Sequence, residues 1–275
     1  MFGSLLSFSK PSILPSLRNP SQFLVNLALA SNQFYDPFSV SKTVEETESM
    51  SEGLDPNWWV NSGAYFYTSA GRAYTPQGDL AISSYWQEEY ATSNPKDTDG
   101  GYHPQNIFRL VTRTKWQNFT QHAYFKVIKD NLSSSPNRNQ SNGLLLFNRY
   151  QDGDNLYYAG VRVDGALVIK KKLRGTYYTL AYKKYFPGTY NRTTSPNLLP
   201  KNQWIGIKTE VTTTTDANQN IRLYLNIGWT GRWTLVLETN DDGRTYGSAI
   251  ANSGYGGIRT DFMDVEFDSY QITEL

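Results

Sequence analysis

The chain of 275 residues contains no cysteine, which excludes disulfides, thiolate metal sites and cysteine nucleophiles. Its net charge is only +1, so no overall electrostatic attraction favours nucleic acid or a membrane surface as a partner. No apolar run is long enough to span a bilayer. The sequence also lacks a phosphate-binding loop, a dinucleotide fingerprint, a zinc motif and a nucleophile elbow. We therefore predict no nucleic-acid partner and no membrane span.

Aromatic residues are abundant, at 15% of the chain, and many of them fall in one patterned stretch. Residues 142–181 read NGLLLFNRYQDGDNLYYAGVRVDGALVIKKKLRGTYYTLA. Turn signals at 151–155, Asp164–Gly165 and Arg174–Gly175 divide this stretch into short apolar and aromatic runs. Asp-Gly between β-rich runs is a strong hairpin signal, because a type I′ turn needs positive φ at both central residues. The stretch therefore predicts a meander of four antiparallel strands.

The rest of the chain repeats this strand pattern and offers a single short helix, over Ser83–Ala91. In Ile221–Ile227, apolar residues alternate with Arg222, Tyr224 and Asn226, which is typical of a strand with one buried and one wet face. About a dozen strands with almost no helix predict an all-β sandwich or barrel. The remaining predicted strands are Trp59–Tyr67, Ile107–Thr114, Phe119–Ile128, Trp204–Val211, Trp233–Glu238 and Phe262–Ile272.

The first 33 residues are predicted to be separate from this domain, which then occupies residues 34–275. Lys10 and Arg18 precede the apolar segment Phe23–Ala30, and Ala28-Leu29-Ala30 has the form of a signal-peptidase site. The segment is short, contains Asn26 and follows a Pro/Ser-rich lead. Two interpretations stay open: a secretory signal peptide, which would make the protein secreted or surface-bound, and a disordered tail.

Three segments carry a family resemblance. They are DPNWWVNSGAYFY, NLYYAGVRVDGALVIKKKLRGTYYTLA and FMDVEFDSYQI, and they resemble the concanavalin A-like lectin/glucanase superfamily, in particular laminin-G-like jelly-roll domains of bacterial carbohydrate-active proteins. The resemblance covers residues 34–275. It implies a two-sheet antiparallel jelly-roll β-sandwich whose concave sheet faces a glycan, and a structural Ca²⁺ would fit the family. Fold alone does not fix function.

Charge is segregated along the chain although the total is nearly neutral. Between Gly165 and Thr209 there are nine basic residues, several tyrosines and no acidic residue. Such a region could hold an anionic polymer, with cations meeting carboxylates or sulfates and tyrosine rings packing on sugars. The alternative is a solvated sheet face whose lysines prevent edge pairing. The candidate binding residues are Lys126, Arg149, Tyr157, Tyr158, Arg162, Lys170, Tyr185 and Tyr190.

A second candidate cluster lies on two strands adjacent in sequence. Arg109 and Arg113 share one face of their strand, and His122 and Tyr124 share one face of the next. A hairpin through 115–118 would set the two faces side by side. These residue types suit β-elimination on a uronate polymer, in which a cation neutralises the carboxylate, a His or Tyr takes the proton, and a Tyr protonates the leaving oxygen.

This arrangement resembles the sites of jelly-roll alginate lyases, and it makes Arg109, Arg113, His122 and Tyr124 catalytic candidates. The spaced arginines, Gln121-His122 and the segment Tyr185–Asn191 are similar to short motifs of those enzymes, with differences in spacing and a missing Lys. The alternative for His122 is a hydrogen-bonded strand histidine.

Acidic residues suggest two further sites. Asp264, Glu266 and Asp268 alternate along one strand as do the catalytic acids of retaining glucanases of this fold, although the simpler interpretation is a structural closing strand. The loops at 97–100, 151–155 and 241–243 supply oxygen ligands of the kind Ca²⁺ prefers. Asp-Gly in a β protein is more often a turn.

The leading functional interpretation is an extracellular, lectin-like module that binds a polysaccharide, anionic if the basic region is the site. A polysaccharide lyase, followed by a glycoside hydrolase of the same fold, is the alternative. A structural or adhesive surface protein is the third hypothesis.

Overall fold

Sixteen strands dominate the computed structural model, which describes residues 32–275. One α-helix, α1 (Tyr85–Ser93), and one 3₁₀-helix (Pro104–Ile107) complete the regular structure of this part of the chain. The strands in chain order are β1 (Gln33–Asp36), β2 (Thr43–Glu45), β3 (Trp58–Ser62), β4 (Tyr65–Ser69), β5 (Arg72–Tyr74), β6 (Phe108–Trp116), β7 (Phe119–Asp130), β8 (Gly143–Asp152), β9 (Asn155–Arg162), β10 (Ala166–Leu173), β11 (Thr176–Lys184), β12 (Ile205–Thr213), β13 (Gln219–Ile227), β14 (Thr234–Asp241), β15 (Gly254–Thr260) and β16 (Met263–Glu274).

The strands form two antiparallel sheets that pack face to face. The nine-stranded sheet has the order β14-β13-β12-β7-β16-β5-β4-β2, with β1 beside β16. The seven-stranded sheet has the order β11-β10-β9-β8-β15-β6-β3. The predicted jelly-roll β-sandwich is confirmed, and so is the four-stranded meander, which is β8 to β11. No helix among residues 32–275 is long and apolar enough to cross a membrane.

The core lies between the two sheets and is built by strand alternation. Ile221, Leu223 and Leu225 of β13 are buried, as predicted, while Arg222 and Tyr224 face outward. Aromatic rings fill one end of the core, where Trp58 packs edge-on against Tyr270 at 4.8 Å between ring centroids. Burial of such apolar surface is the main force that holds the two sheets together.

Two strand predictions are wrong for the same reason. At both places the chain crosses from one sheet to the other, where the sequence predicted a single strand or a hairpin within one sheet. The predicted strand Trp59–Tyr67 is divided into β3 and β4, which belong to different sheets. Gly63 and Ala64 at the break both have positive φ, of 108° and 70°. The predicted hairpin between β6 and β7 does not exist either, since β6 lies in the seven-stranded sheet and β7 in the nine-stranded one.

The turns of the meander differ from the prediction in which residues supply positive φ. Arg174 and Gly175 join β10 to β11 with φ of 49° and 81°, which is the type I′ pattern. At the Asp164–Gly165 turn only Gly165 has positive φ. The predicted leader segment Phe23–Ala30 lies outside the described residues.

Candidate functional site

A groove of about 320 Å³ crosses the outer face of the seven-stranded sheet. Its floor comes from neighbouring strands in register: Lys170 of β10 is opposite Tyr158 of β9, and Arg259 of β15 is opposite Arg109 of β6. Tyr177 of β11 completes this set at one side. Alternation puts these side chains on the face away from the core. The five residues, named here the groove set, combine three cations with two phenol rings.

Loops enclose one side of the groove. Asp97 belongs to the loop after α1, and Asn137 and Asn139 belong to the loop between β7 and β8, and all three line the groove. The two loops are tied together, because the Asn137 amide donates to the Asp97 carboxylate at 3.0 Å. Polar side chains at the rim of a concave surface are typical of ligand sites.

Arg259 is fixed in position by an acidic partner. Its Nε donates to Oδ1 of Asp261 at 2.9 Å, and the two side chains are only 19% and 3% exposed. Burial alone lowers the pKa of Arg259, but the Asp261 carboxylate and the nearby Tyr158 and Tyr177 outweigh it and raise that pKa. The guanidinium is therefore a permanent positive charge, and it lies 5.6 Å from the centroid of the Tyr158 ring.

The other two cations of the groove set form no direct ion pair in the part of the chain that the structure describes. Neither Arg109 nor Lys170 makes an ion pair or a side-chain hydrogen bond with another of residues 32–275. The pKa of Lys170 is lowered, first by burial and then by the charges of Arg162 and Arg259. The Arg162 and Arg259 charges thus disfavour the charged form of Lys170, and an anion bound in the groove would offset that repulsion.

Tyr177 differs from the other tyrosines of the site. Burial raises the pKa of Tyr158 above its ordinary value. Burial acts in the same direction on Tyr177, but the Arg259 and Lys172 cations outweigh it and lower the pKa of Tyr177. The Lys172 ammonium lies 5.0 Å from the Tyr177 ring centroid. Half of Tyr177 is exposed, so its hydroxyl is within reach of a ligand in the groove.

Asp261 adds an acceptor that the protein itself leaves unused. Its Oδ1 accepts from Arg259, whereas its Oδ2 is buried without a hydrogen-bond partner among the described residues. Asp261 also lines the groove. A buried acceptor without a donor is costly, and a sugar hydroxyl is the kind of donor that would satisfy it.

Three predicted site residues line this groove, namely Arg109, Tyr158 and Lys170. Arg162 lies on the same strand face as Tyr158, but its charge is satisfied by Asp164 at 2.9 Å. Tyr185 and Tyr190 lie after β11 and do not line the groove. Tyr185 is 42% exposed beside Phe186, and Tyr190 packs against the core.

Three other predicted binding or catalytic residues make hydrogen bonds within the protein instead of lining the groove. Arg113 donates to the backbone oxygen of Gly53 at 2.7 Å and so holds a loop. Tyr157 points into the core, where its hydroxyl donates to Asp241 at 2.6 Å. Arg149 is fully buried, because a bulge with φ of 48° at this residue turns its side chain away from the expected face. Its partners are Asn118, Thr213 and Gln219 side chains and the backbone oxygens of Gln117, Ile250 and Ala251.

The predicted catalytic cluster is not assembled. His122 and Tyr124, with the binding candidate Lys126, lie on the outer face of the nine-stranded sheet, whereas Arg109 and Arg113 belong to the other sheet. The core separates the two outer faces. The cause is the absence of the β6–β7 hairpin, so the four residues do not form one site.

Several acidic residues of the predicted catalytic and calcium sites form hydrogen bonds or ion pairs with other residues of the chain. Asp264 is buried and accepts from Gln105, Asn131 and the Gly78 amide, and Glu266 pairs with Lys126 and Arg72. This agrees with the closing-strand interpretation. Within residues 32–275 no group of three or more His, Asp or Glu is arranged to hold a metal ion. The carboxylates of Asp97 and Asp99 accept from Ser135 and Ser133.

Sequence reasoning missed Arg259, Asp261 and Tyr177. Arg259 and Asp261 follow the segment Gly254–Gly257, whose glycines concealed strand β15. Tyr177 was noted only as part of the basic, tyrosine-rich region. Two signals could have located Tyr177. The Arg174–Gly175 turn pairs β11 with β10, which brings Tyr177 opposite Lys172, and β10 in turn pairs with β9, which carries Tyr158.

Comparison with solved structures finds several that are similar to this chain. The chain is similar to the carbohydrate-binding module CBM66 from Bacillus subtilis, with 14% identity and a TM-score of 0.48 over 79% of this chain and 95% of that one. It is also similar to a B. subtilis protein of unknown function with a galectin-like fold, with 13% identity and a TM-score of 0.48 over 88% and 94%.

A third similar structure is the Bacillus licheniformis β-glucanase, with 9% identity and a TM-score of 0.45 over 89% of this chain and 99% of that one. Neither a scan against protein-family models nor a search of curated proteins finds a match. At these identities the likeness concerns the fold alone, and function has to be argued from the site.

Proposed function

We propose that the protein is an extracellular polysaccharide-binding module whose groove on the seven-stranded sheet takes an anionic glycan. The observation that carries this proposal is that Arg109 and Lys170, which form no direct ion pair among residues 32–275, line one groove with the fixed Arg259. A carboxylate or sulfate on a sugar would meet these groups through charge-assisted hydrogen bonds.

The uncharged parts of the groove suit the rest of a sugar. The rings of Tyr158 and Tyr177 offer apolar surface to the C–H groups of a pyranose ring. The free oxygen of Asp261 and the amides of Asn137 and Asn139 offer partners for hydroxyl groups.

A second candidate function is β-elimination on a uronate polymer, and the lowered pKa of Tyr177 specifically favours it. In this hypothesis Arg109 or Arg259 neutralises the uronate carboxylate, which acidifies the adjacent C–H bond. Tyr177, which the neighbouring cations shift toward its phenolate form, takes that proton. The electron pair left on carbon forms the double bond as the glycosidic C–O bond breaks, and the departing oxygen takes up a proton from water.

The test is affinity electrophoresis of the protein in gels that contain alginate, polygalacturonate, heparin or neutral dextran. The proposal predicts retarded migration in at least one anionic gel and none in dextran. Equal mobility in all gels would contradict it. The same polymers incubated with protein distinguish the two candidates: growth of ultraviolet absorbance from the conjugated double bond, lost in Tyr177→Phe, would establish the lyase, whereas retardation without that signal leaves a binding module.

A further inference from the structure

An aromatic platform covers part of the opposite face of the sandwich, on the nine-stranded sheet. Trp229 follows β13 and stacks flat on Tyr124 of β7, with ring centroids 4.0 Å apart and an interplanar angle of 3°. Tyr124 is 5% exposed beneath it, whereas Trp229 is 37% exposed. One face of the indole therefore rests on Tyr124, and more than a third of the Trp229 side chain remains exposed. Trp204 and Trp233 pack around this pair, and the four rings are named here the platform.

The backbone is built to allow this packing. Gly206 of β12 lies opposite Tyr124 in register, and a Cβ there would come within 2.8 Å of the Tyr124 ring and 2.9 Å of the Trp233 ring. The missing side chain lets both rings settle on the sheet. Trp229 itself has φ of 55°, a conformation that bulky residues rarely adopt.

Hydrogen bonds hold the loop that carries Trp229. The Asn226 side-chain oxygen accepts from the Thr230 amide at 2.9 Å and from its hydroxyl at 3.0 Å. The Asn226 side-chain nitrogen donates to the Tyr124 hydroxyl at 3.1 Å. The loop is thus pinned to the ring it covers. A strained backbone kept in place by such contacts is typical of functional positions.

Two of the three cations near the platform are already paired with a carboxylate. Lys126 and Arg72 lie over the Trp204 ring, at 4.8 and 5.6 Å, and both pair with Glu266. Lys208 makes no ion pair within the described residues and instead lies 4.2 Å from the Tyr224 ring centroid and 5.6 Å from that of Trp233. Charge complementarity therefore favours an anionic ligand less here than in the groove. His122 touches Trp233 and makes no hydrogen bond within the described chain, so its ring nitrogens are available to hydroxyl groups.

We propose that this platform is a second glycan-binding surface, and that it takes uncharged pyranose residues of a polysaccharide. The apolar C–H face of a sugar packs on the exposed indole of Trp229, because both surfaces leave water on contact. Flat aromatic rings with a few polar neighbours fit such a ligand better than they fit a charged one. The protein then has one anion-binding groove and one neutral platform on opposite sheets, and a single chain bridges two polymers.

The test is affinity electrophoresis and tryptophan-fluorescence titration with hydroxyethylcellulose, glucomannan and xylan. Wild type is expected to be retarded by at least one of them, with a change in fluorescence. Trp229→Ala is expected to weaken that binding by about tenfold or more, as truncation of a central aromatic anchor does. Tyr246→Ala is the matched control, because Tyr246 is 38% exposed and lies outside the platform.

Two further variants keep the test decisive if Trp229→Ala fails to fold. Trp229→Met retains an apolar cover over Tyr124 without a flat ring and is expected to lose binding, whereas Trp229→Tyr retains a ring and is expected to keep part of it. Binding to anionic polymers is expected to survive in all of them, since the groove is on the other sheet. Unchanged neutral-polymer binding in Trp229→Met, or no binding by wild type, would overturn the proposal. So would a platform that proves to be a contact between two copies, seen as a dimer that Trp229→Met converts to monomer.

Discussion

The Arg259 guanidinium and the Asp261 carboxylate lie 2.9 Å apart at the end of strand β15, with both side chains largely shielded from water. The two residues are separated by one position, so a single strand end presents a fixed cation and a carboxylate to the groove. One carboxylate oxygen accepts from Arg259, and the other is buried without a hydrogen-bond partner among residues 32–275. The pair thus combines the anchor for a ligand anion with the acceptor for a ligand hydroxyl.

Asp261→Asn is expected to weaken polysaccharide binding by about tenfold, because the amide loses the charge that orients Arg259 and keeps only one acceptor. The measurement is the retardation of the variant in the anionic gel that retards wild type. Asp216→Asn is the control, since Asp216 lies in an exposed turn. Retardation equal to that of wild type would remove Asp261 from the site.

Arg149→Ala is expected to destabilise the fold by about 3–5 kcal/mol, because it leaves several buried acceptors without their donor. Burial also lowers the pKa of Arg149 to about 10, as expected for a guanidinium held by neutral partners. Denaturant unfolding of the variant gives the value. Lys183→Ala, on the exposed edge strand β11, is expected to change stability by less than about 0.5 kcal/mol. A loss in Arg149→Ala as small as that of the control would contradict the buried network.

Lys171 and Asp241 form a buried ion pair of 2.8 Å whose side chains are 0% and 1% exposed. Lys171→Met is expected to cost about 3 kcal/mol or more, because the Asp241 carboxylate stays buried and charged with only neutral donors, the Tyr157 hydroxyl and the Gly243 amide. Adding Asp241→Asn should recover part of this loss, with a coupling free energy of about 1–3 kcal/mol in a double-mutant cycle. Additive losses would show that the two residues act independently.

His122 predicts an acid-sensitive component of stability. Burial first, and then the Lys208 charge, lower the pKa of His122 from 6.5 to about 4. Above pH 6.5 the imidazole is neutral in both states and contributes nothing. As pH falls from about 6.5 to about 4, His122 becomes protonated in the unfolded chain but stays neutral in the folded one. The free energy of unfolding therefore decreases by about 2–3 kcal/mol in total.

The check is the free energy of unfolding of wild type and His122→Phe across this range of pH. The variant keeps a ring against Trp233 and Tyr124 but does not titrate. Its free energy of unfolding should therefore fall less steeply than that of wild type as the pH decreases below 6.5. Parallel pH profiles would show that His122 is not the responsible group.

The sequence predicted those parts of the site that depend on local pairing. Tyr158 and Lys170 were expected together in the meander, and they are opposite one another in register because a short turn joins β9 to β10. Alternation then puts both on one face. This information is contained in about fifteen consecutive residues.

Strand alternation and turn signals could not predict which strands far apart in the sequence share a sheet. A loop such as 117–118 can close a hairpin or carry the chain across the core, and strand alternation gives the face of a residue without naming its sheet. Arg109 and His122 were therefore placed together wrongly. The bulge at Arg149 also reverses alternation, and it turned a predicted ligand contact into a core contact.

The central claim is that the groove cations Arg109 and Lys170, which form no ion pair within residues 32–275, bind an anionic glycan. Its most direct test is calorimetric titration with an alginate or polygalacturonate oligosaccharide. We expect wild type to bind, with affinity that falls as salt rises, and the double variant Arg109→Gln/Lys170→Gln to lose binding while it unfolds at an unchanged temperature. Equal affinity in the two proteins, or binding by wild type that salt does not weaken, would contradict the account.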